Sequence, residues 1–459
     1  MIHRKRKQFK LLKIEAKQLI PLAAPILAAQ LAQQTLAFVD TVMAGRVSAT
    51  DLAGVAVGGS IWGPIFLFLY GVLLAITPIV AQLHGAGKTE ETGPLARKGV
   101  LVALPLVIIA IILLQNAGLI FRWMDVDPQV ATISTDYLKA ISWGVPALAL
   151  FFLLRNLSEG MGLVRPSMLI GLASIPVNIA GNYVFIYGKL GLPAMGGIGC
   201  GWASALSLWF MCSCMVLTIW RVRRYDKTHF FDLNKTCGTE GAPQLLRLGL
   251  PIGLSLLVEA SIFALIALFL SPLGALTVAS HQITLNYSSM IFMIPLSLAS
   301  AITIRVGHAI GRQRFDRARL SSRTGLLLNS SIAIVTATLT LCFAEKIAGI
   351  YTQNPQVIGI AVGLLYLNAL YQVSDAFQIG AAAALRGYKD SRVPLLMVIV
   401  SYWIIGLPLG YSLALTTFWG APLGAKGFWI SLIIGLSVAA VLLGLRLYRV
   451  SHKETATSC

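Results

Sequence analysis

Residues 18–44 read QLIPLAAPILAAQLAQQTLAFVDTVMA. The stretch is long enough to cross a hydrocarbon core about 30 Å thick, and Asp40 is its only formally charged residue. A secretory signal carries an apolar region of only about 7–15 residues. Although LAAPILAAQLAQ imitates a cleavage site, the apolar segment runs well past it, so it reads as a retained first membrane helix. Similar runs recur along all 459 residues, of which 57% are hydrophobic and 12% charged. Soluble domains carry about 25% charged residues. The composition excludes a soluble enzyme, a disordered chain and a disulfide-stapled secreted domain. It predicts an all-α polytopic membrane protein.

Hydropathy and Gly/Pro punctuation mark twelve transmembrane helices, at 18–44, 52–82, 98–121, 129–154, 166–188, 196–220, 245–271, 277–304, 324–344, 356–385, 393–416 and 422–445. Prolines recur inside them, as at Pro25, Pro78, Pro146, Pro176, Pro251, Pro295 and Pro408. Lipid tolerates such breaks only where neighbouring helices satisfy the freed backbone groups. With the N-terminus inside, thirty of the 36 Lys and Arg fall on the cytoplasmic side and five on the outer side, and Lys139 lies within the fourth span. That bias supports both the span count and the orientation, with both termini cytoplasmic. The net charge of +18 therefore reflects topology rather than nucleic-acid binding. Six Cys, at 200, 212, 214, 237, 342 and 459, form no CxxC pair and read as packing residues and free thiols.

Self-comparison reveals an internal repeat. A shift of 226 residues places Pro25-Ile26 on Pro251-Ile252, Ala75-Ile76-Thr77 on Ala301-Ile302-Thr303, Val80 on Val306, Gly85 on Gly311 and Gly201 on Gly427. With small gaps, Asp127-Pro128-Gln129-Val130 matches Asn354-Pro355-Gln356-Val357. The expected organisation is a basic tail (1–17), a six-helix bundle (18–220), a cytoplasmic linker (221–244), a second bundle (245–445) and a C-terminal tail (446–459). An even number of spans per repeat predicts a pseudo-twofold axis along the membrane normal, the layout of alternating-access transporters.

Three carboxylates stay inside the spans: Asp40, Glu259 and Asp375. An ionisable group at bilayer depth costs at least about 2.5–3.5 kcal/mol and is by default a functional hypothesis. In the tenth span Tyr371, Ser374, Asp375 and Gln378 form one polar stripe at i, i+3, i+4 and i+7. In the first, Gln30, Gln33, Gln34, Ala37 and Asp40 trace a similar face, and Asn178 and Asn182 share a face of the fifth. The amides suit either interhelical hydrogen bonding or cavity lining. Burial disfavours a charged carboxyl, so such a group can exchange protons near neutral pH, and its oxygens also suit a hard cation. Two acids at one site could alternate between an ion and a cationic substrate, a basis for antiport. The repeat places Glu259 opposite Gln33 and Pro146 opposite Asp375, so the halves are chemically unequal.

Other ionisable residues read as structural. His281 fits a packed or capping role, Arg155, Glu159, Arg305 and Arg386 lie near span ends where snorkelling or loop pairing explains them, and Lys139 with Asp136 suggests a helix-surface pair. No Walker, HExxH or GxSxG motif occurs.

At these residues the chain resembles the multidrug and toxic compound extrusion (MATE) transporters, and their NorM-type bacterial branch in particular. The resemblance rests on FVDTVMAG (Phe38–Gly45), Pro25 and Pro251, VEASIFA around Glu259, ASHQI (Ala279–Ile283), FMIPLS (Phe292–Ser297) and RGYKDSRVP (Arg386–Pro394). It implies two bundles and export of organic cations and drugs by secondary antiport, driven by inward Na+ or H+, with no cofactor, by a protein that functions as a monomer. It casts Glu259 and Asp375 as the coupling-cation carboxylates, holding Na+ with H+ as the alternative, Tyr371 as a supporting ligand, and Asp40 as the transport-essential acid of the N-terminal bundle. Candidates for the substrate cavity are Gln33, Gln34, Asn178 and Asn182 in the first half and Gln282, Asn286, Phe292 and Gln378 in the second. At Phe292 the chain departs from relatives that carry Tyr. A lipid-linked oligosaccharide flippase of the same superfamily is an alternative, but mid-membrane acids favour cationic cargo. A membrane-embedded enzyme would need a nucleophile–base or metal constellation, and the sequence offers none.

Overall fold

Long apolar runs can satisfy their backbone in lipid only as helices, and helices are what form. The computed structural model describes the backbone of residues 2–124, 126–232 and 241–456, with side chains over 10–124, 126–232 and 241–452. Helix α1 spans Ile2–Gly45, α2 Ala49–Leu74, α3 Ile76–Gly85, α4 Thr92–Gln115, α5 Ala117–Trp123, α6 Pro128–Ser142, α7 Val145–Gly160, α8 Arg165–Tyr187 and α9 Gly197–Arg221. They are followed by α10 Gly241–Leu270, α11 Ala275–Gly311, α12 Phe315–Tyr351, α13 Pro355–Gly387, α14 Arg392–Ile399, α15 Leu407–Leu415 and α16 Ala425–Ala456. No strand occurs among the described residues. Eleven of the described segments are long and apolar enough to cross a membrane, and the bent pair α6–α7 makes a twelfth.

The chain folds as two compact units. One comprises Ala28–Gly253, and the other Met1–Leu27 together with Leu254–Cys459. The divisions fall inside α1 and α10, at residues that sequence reading treats as mid-span. Segments expected as tails are helical: α1 runs from Ile2 and α16 continues to Ala456. Of the expected linker, residues 233–240 lie outside the described residues, and Arg223–Thr228 forms a short 3-10 helix. Cys200, Cys212, Cys214 and Cys342 are free thiols; Cys237 and Cys459 lie outside the described side chains.

The repeat seen in sequence is repeated in packing. In the Ala28–Gly253 unit, α3 and α7 cross so closely that a Cβ on Gly160 would lie 2.8 Å from Val80 and 2.9 Å from the Thr77 carbonyl oxygen. In the other unit a Cβ on Gly387 would lie 2.7 Å from Val306 and 3.2 Å from the Thr303 carbonyl oxygen. Only glycine permits either crossing. The same threonines bind across it: Thr77 Oγ1 donates to Asn156 Oδ1 (3.2 Å) and Thr303 Oγ1 to the Ala383 carbonyl (2.8 Å). The starts of α6 and α13 also match, with Asp127 and Asn354 accepting first-turn amides ahead of a proline whose missing N–H costs nothing there.

Two spans depart from regular helix. The fourth breaks by 49° between α6 and α7. Pro146 cannot donate, and Gly144 sits where a Cβ would lie 3.0 Å from Ala205 Cα. The break leaves the Trp143 carbonyl without a helical partner, and the Trp209 indole N–H donates to it at 3.0 Å. The eleventh is π-helical over Val400–Gly406, a widening common at functional sites.

Candidate functional site

In the Ala28–Gly253 unit the site is built on α1, α8 and α9. The four-residue spacing of Asn178 and Asn182 aims both amides at α1. Asp40 is 6% exposed. Asn182 Nδ2 donates to its Oδ1 at 2.6 Å and Ser204 Oγ to its Oδ2 at 2.6 Å. Asn182 Nδ2 also reaches Asn178 Oδ1 at 3.1 Å, and Cys200 Sγ lies 3.5 Å from the Asp40 carbonyl oxygen. Both carboxylate oxygens thus have a donor. Asn178 Nδ2 and Asn182 Oδ1 stay buried without a partner. Gln33 is half-buried, and its Oε1 accepts from Arg155 at 3.4 Å. Gln34 is exposed and has no part in this cluster. Arg155 and Glu159, expected to snorkel or pair in a loop, are instead a buried ion pair at 2.7 Å, which Ser167 Oγ joins at 3.0 Å.

In the other unit the site rests on α10, α11, α12 and α13. Glu259 of α10 is half-buried and its Oε1 accepts from Gln378 Nε2 at 2.9 Å. Asp375 is 7% exposed, and no hydrogen bond reaches its carboxylate from any described residue. It opens on a small cavity of about 10 Å³ lined by Ser288, Phe292, Pro295, Thr336 and Gln372. That is room for about one water-sized guest. Asp375 and Glu259 are close enough to interact electrostatically, as is Tyr371 with both.

Tyr371 is buried among aromatic rings, with centroids 6.4 Å from Phe263 and 5.7 Å from Trp429. The Trp429 indole donates to His281 Nδ1 at 3.2 Å, which accounts for the buried histidine as a packing group. Ser374, on the expected stripe, turns to Ser437 on α16 at 2.9 Å. Gln282 and Asn286 are exposed and bond to each other at 3.3 Å; the structure does not bring them to the acids. Lys139 pairs with Asp136 at 3.1 Å on an exposed helix surface.

Several polar groups here escaped the sequence reading. Gln372 donates to Asn368 Oδ1 (2.6 Å) and Thr340 Oγ1 (3.2 Å), and Thr340 shares a hydrogen bond with Tyr287 OH (2.7 Å). Buried Gln372 Oε1 and Asn368 Nδ2 have no partner. Asn368, Gln372 and Asp375 fall at i, i+4 and i+7, so extending the tenth-span stripe backwards would have found them. Tyr402 of the π-helical segment lies in electrostatic reach of Tyr371, Glu259 and Asp375, and Arg386 in reach of Glu259.

An all-helical membrane protein of two repeats, each holding its own intramembrane carboxylate, is the class these features define. The MatE family profile matches residues 25–184 and 251–412, two stretches that begin with the same offset as the internal repeat. The chain is 45% identical to the multidrug resistance protein NorM of Photobacterium profundum, covering 94% of this chain and 95% of that protein. It is 44% identical to the protein of the same name from Vibrio vulnificus, covering 95% and 96%. A crystal structure of the eukaryotic MATE transporter AtDTX14 superposes with a TM-score of 0.87 at 20% identity, covering 98% of this chain and 100% of that one. The chain belongs to the MatE family.

Proposed function

We infer that this protein is a multidrug exporter, a transporter and not an enzyme, that moves drugs and organic cations out by secondary antiport and alternating access. The observation that carries this reading is Asp375: a buried carboxylate that accepts no hydrogen bond from the described residues and faces a small cavity. A carboxylate without donors at this depth needs a positively charged guest to be stable. A proton, a metal ion or a cationic drug each meets that need, and only one can do so at a time. Glu259, held by Gln378, adds a second acid near the first, so that one cation entering weakens the hold on another.

The coupling ion of this reading is Na+, bound by the carboxylates of Asp375 and Glu259 with Tyr371 in support; H+ is the alternative. Ser288, Thr336 and Gln372, among the residues lining the cavity, carry side-chain oxygens, the ligand type that holds a hard cation, which supports Na+. Asp40, Asn178, Asn182 and Gln33 in one unit, and Phe292 and Gln378 in the other, belong to the proposed transport and substrate machinery. The protein acts as a monomer in a bacterial inner membrane with both termini cytoplasmic.

Purified protein in liposomes tests this. Ethidium should move against its gradient when an inward Na+ or H+ gradient is imposed, and Asp375→Asn should abolish the movement. Ion-driven ethidium transport that survives that substitution would refute the mechanism.

A further inference from the structure

Where α11 ends, the chain turns through residues 311–314 into α12, and beside this turn opens a cavity of about 350 Å³. Its walls come from Ile14, Glu15 and Gln18 of α1 and from Arg305, Arg312, Arg314 and Arg317, all within the unit that joins residues 1–27 to the C-terminal half. One wall is an internally neutral cluster. Glu15 is 2% exposed and receives Arg305 through both oxygens, Nε to Oε1 at 2.9 Å and Nη2 to Oε2 at 3.0 Å. Ser321 Oγ also donates to Glu15 Oε1 at 2.6 Å, and Arg305 donates to Gln18.

The rest of the rim is not neutral. Arg312, Arg314 and Arg317 are exposed, and their guanidinium groups have no hydrogen-bond or ion-pair partner among the described residues. Asp316 is exposed beside them and pairs with none. The first repeat supplies the contrast. Counting back 226 residues, the turn after α3 carries Ala86, Lys88 and Glu91 at these three places, and Lys88 pairs with Glu91 at 3.3 Å. One copy of the turn neutralises itself; the other gathers unpaired arginines round a hollow.

We propose that this cavity binds a phosphate group, carried by an anionic phospholipid of the surrounding membrane or by a soluble phosphomonoester. Guanidinium forks match phosphate oxygens two at a time, and the volume falls within the range of small-molecule sites. The position, where residues 14–18 of α1 meet the end of α11 and the start of α12, just before the apolar run that begins at Gln18, is where a lipid headgroup would lie, and basic pockets between membrane helices hold anionic headgroups. Occupancy would tie α1 to the α11–α12 turn. The proposal stands on the cavity and its arginines and does not depend on the transport reading.

Native mass spectrometry of the full-length protein in mild detergent tests it, with dioleoyl phosphatidylglycerol, dioleoyl phosphatidylcholine and glycerol 3-phosphate as separate probes. A phosphatidylglycerol should be retained in preference to phosphatidylcholine. Arg312→Gln, Arg314→Gln and Arg317→Gln should each weaken retention roughly fivefold, and the triple variant on the order of a hundredfold. Lys88→Gln, in the self-neutralised turn, should leave it unchanged. Displacement of the lipid by equimolar glycerol 3-phosphate assigns the site to the soluble ester, and failure to displace assigns it to the lipid. Should the triple variant misfold, the three single variants at exposed positions still decide. Equal retention of both lipids without glycerol 3-phosphate binding, or retention indifferent to every arginine substitution, overturns the proposal.

Discussion

Asp40 and Asp375 are the same side chain at nearly the same exposure, 6% and 7%, in membrane helices of different units. They differ in what surrounds them. Asp40 has a donor on each oxygen, from Asn182 and Ser204. Asp375 has none from the described residues, a neighbouring acid in Glu259 and a cavity at its carboxylate. Burial alone therefore does not make an exchange site. Donors decide whether a buried carboxylate serves as an anchor between helices or needs a mobile positive guest.

That contrast can be broken in order of expected effect. Asp375→Asn removes a charge whose placement in the membrane costs about 2.5–3.5 kcal/mol, and should lower cation-coupled ethidium flux on the order of a hundredfold or more. Its thermal stability in detergent should not fall, since no hydrogen bond from the described residues is lost; a drop in melting temperature matching the loss of flux would place Asp375 among the anchors. Asn182→Ala strips a charge-assisted bond from Asp40 and should cost about 1.5–3 kcal/mol of stability, read as a lowered melting temperature. An unchanged melting curve would remove the anchor role.

Gln378→Leu takes the donor from Glu259 and should shift the half-saturating cation concentration for transport about tenfold. No shift would separate Glu259 from cation handling. Thr336→Val, which removes one oxygen from the Asp375 cavity at nearly constant volume, should raise that concentration about threefold. The same substitution elsewhere on α12, at exposed Thr338, which does not line that cavity, should not.

Much of the architecture was legible before any coordinates. Apolar length has one solution in lipid, so the spans, and the glycine and proline landmarks of the repeat, followed from the sequence. The 49° break at the fourth span was visible only as Pro146 at a possible kink, because its stability depends on Trp209 reaching back to Trp143, a contact between distant positions. The carboxylates were legible because charge in an apolar run is conspicuous. Of their partners, the amides Asn182 and Gln378 stood out as polar residues inside spans, and the hydroxyls did not. Ser204 looks like any helical serine, and Thr336 bonds the Ala333 carbonyl of its own turn, as membrane serines and threonines commonly do. Glu15 was hidden in a basic run, and its partner Arg305 lies 290 residues away.

The central claim is that Asp375 holds the guest that cation and drug compete for. Titrating Na+ into purified protein loaded with ethidium, at constant pH and ionic strength, and following dye fluorescence tests it most directly. The account predicts that Na+ releases the dye from the unaltered protein and from Thr338→Val, at an exposed position outside the proposed site, and releases none from Asp375→Asn. Release from Asp375→Asn at the same Na+ concentrations would contradict it.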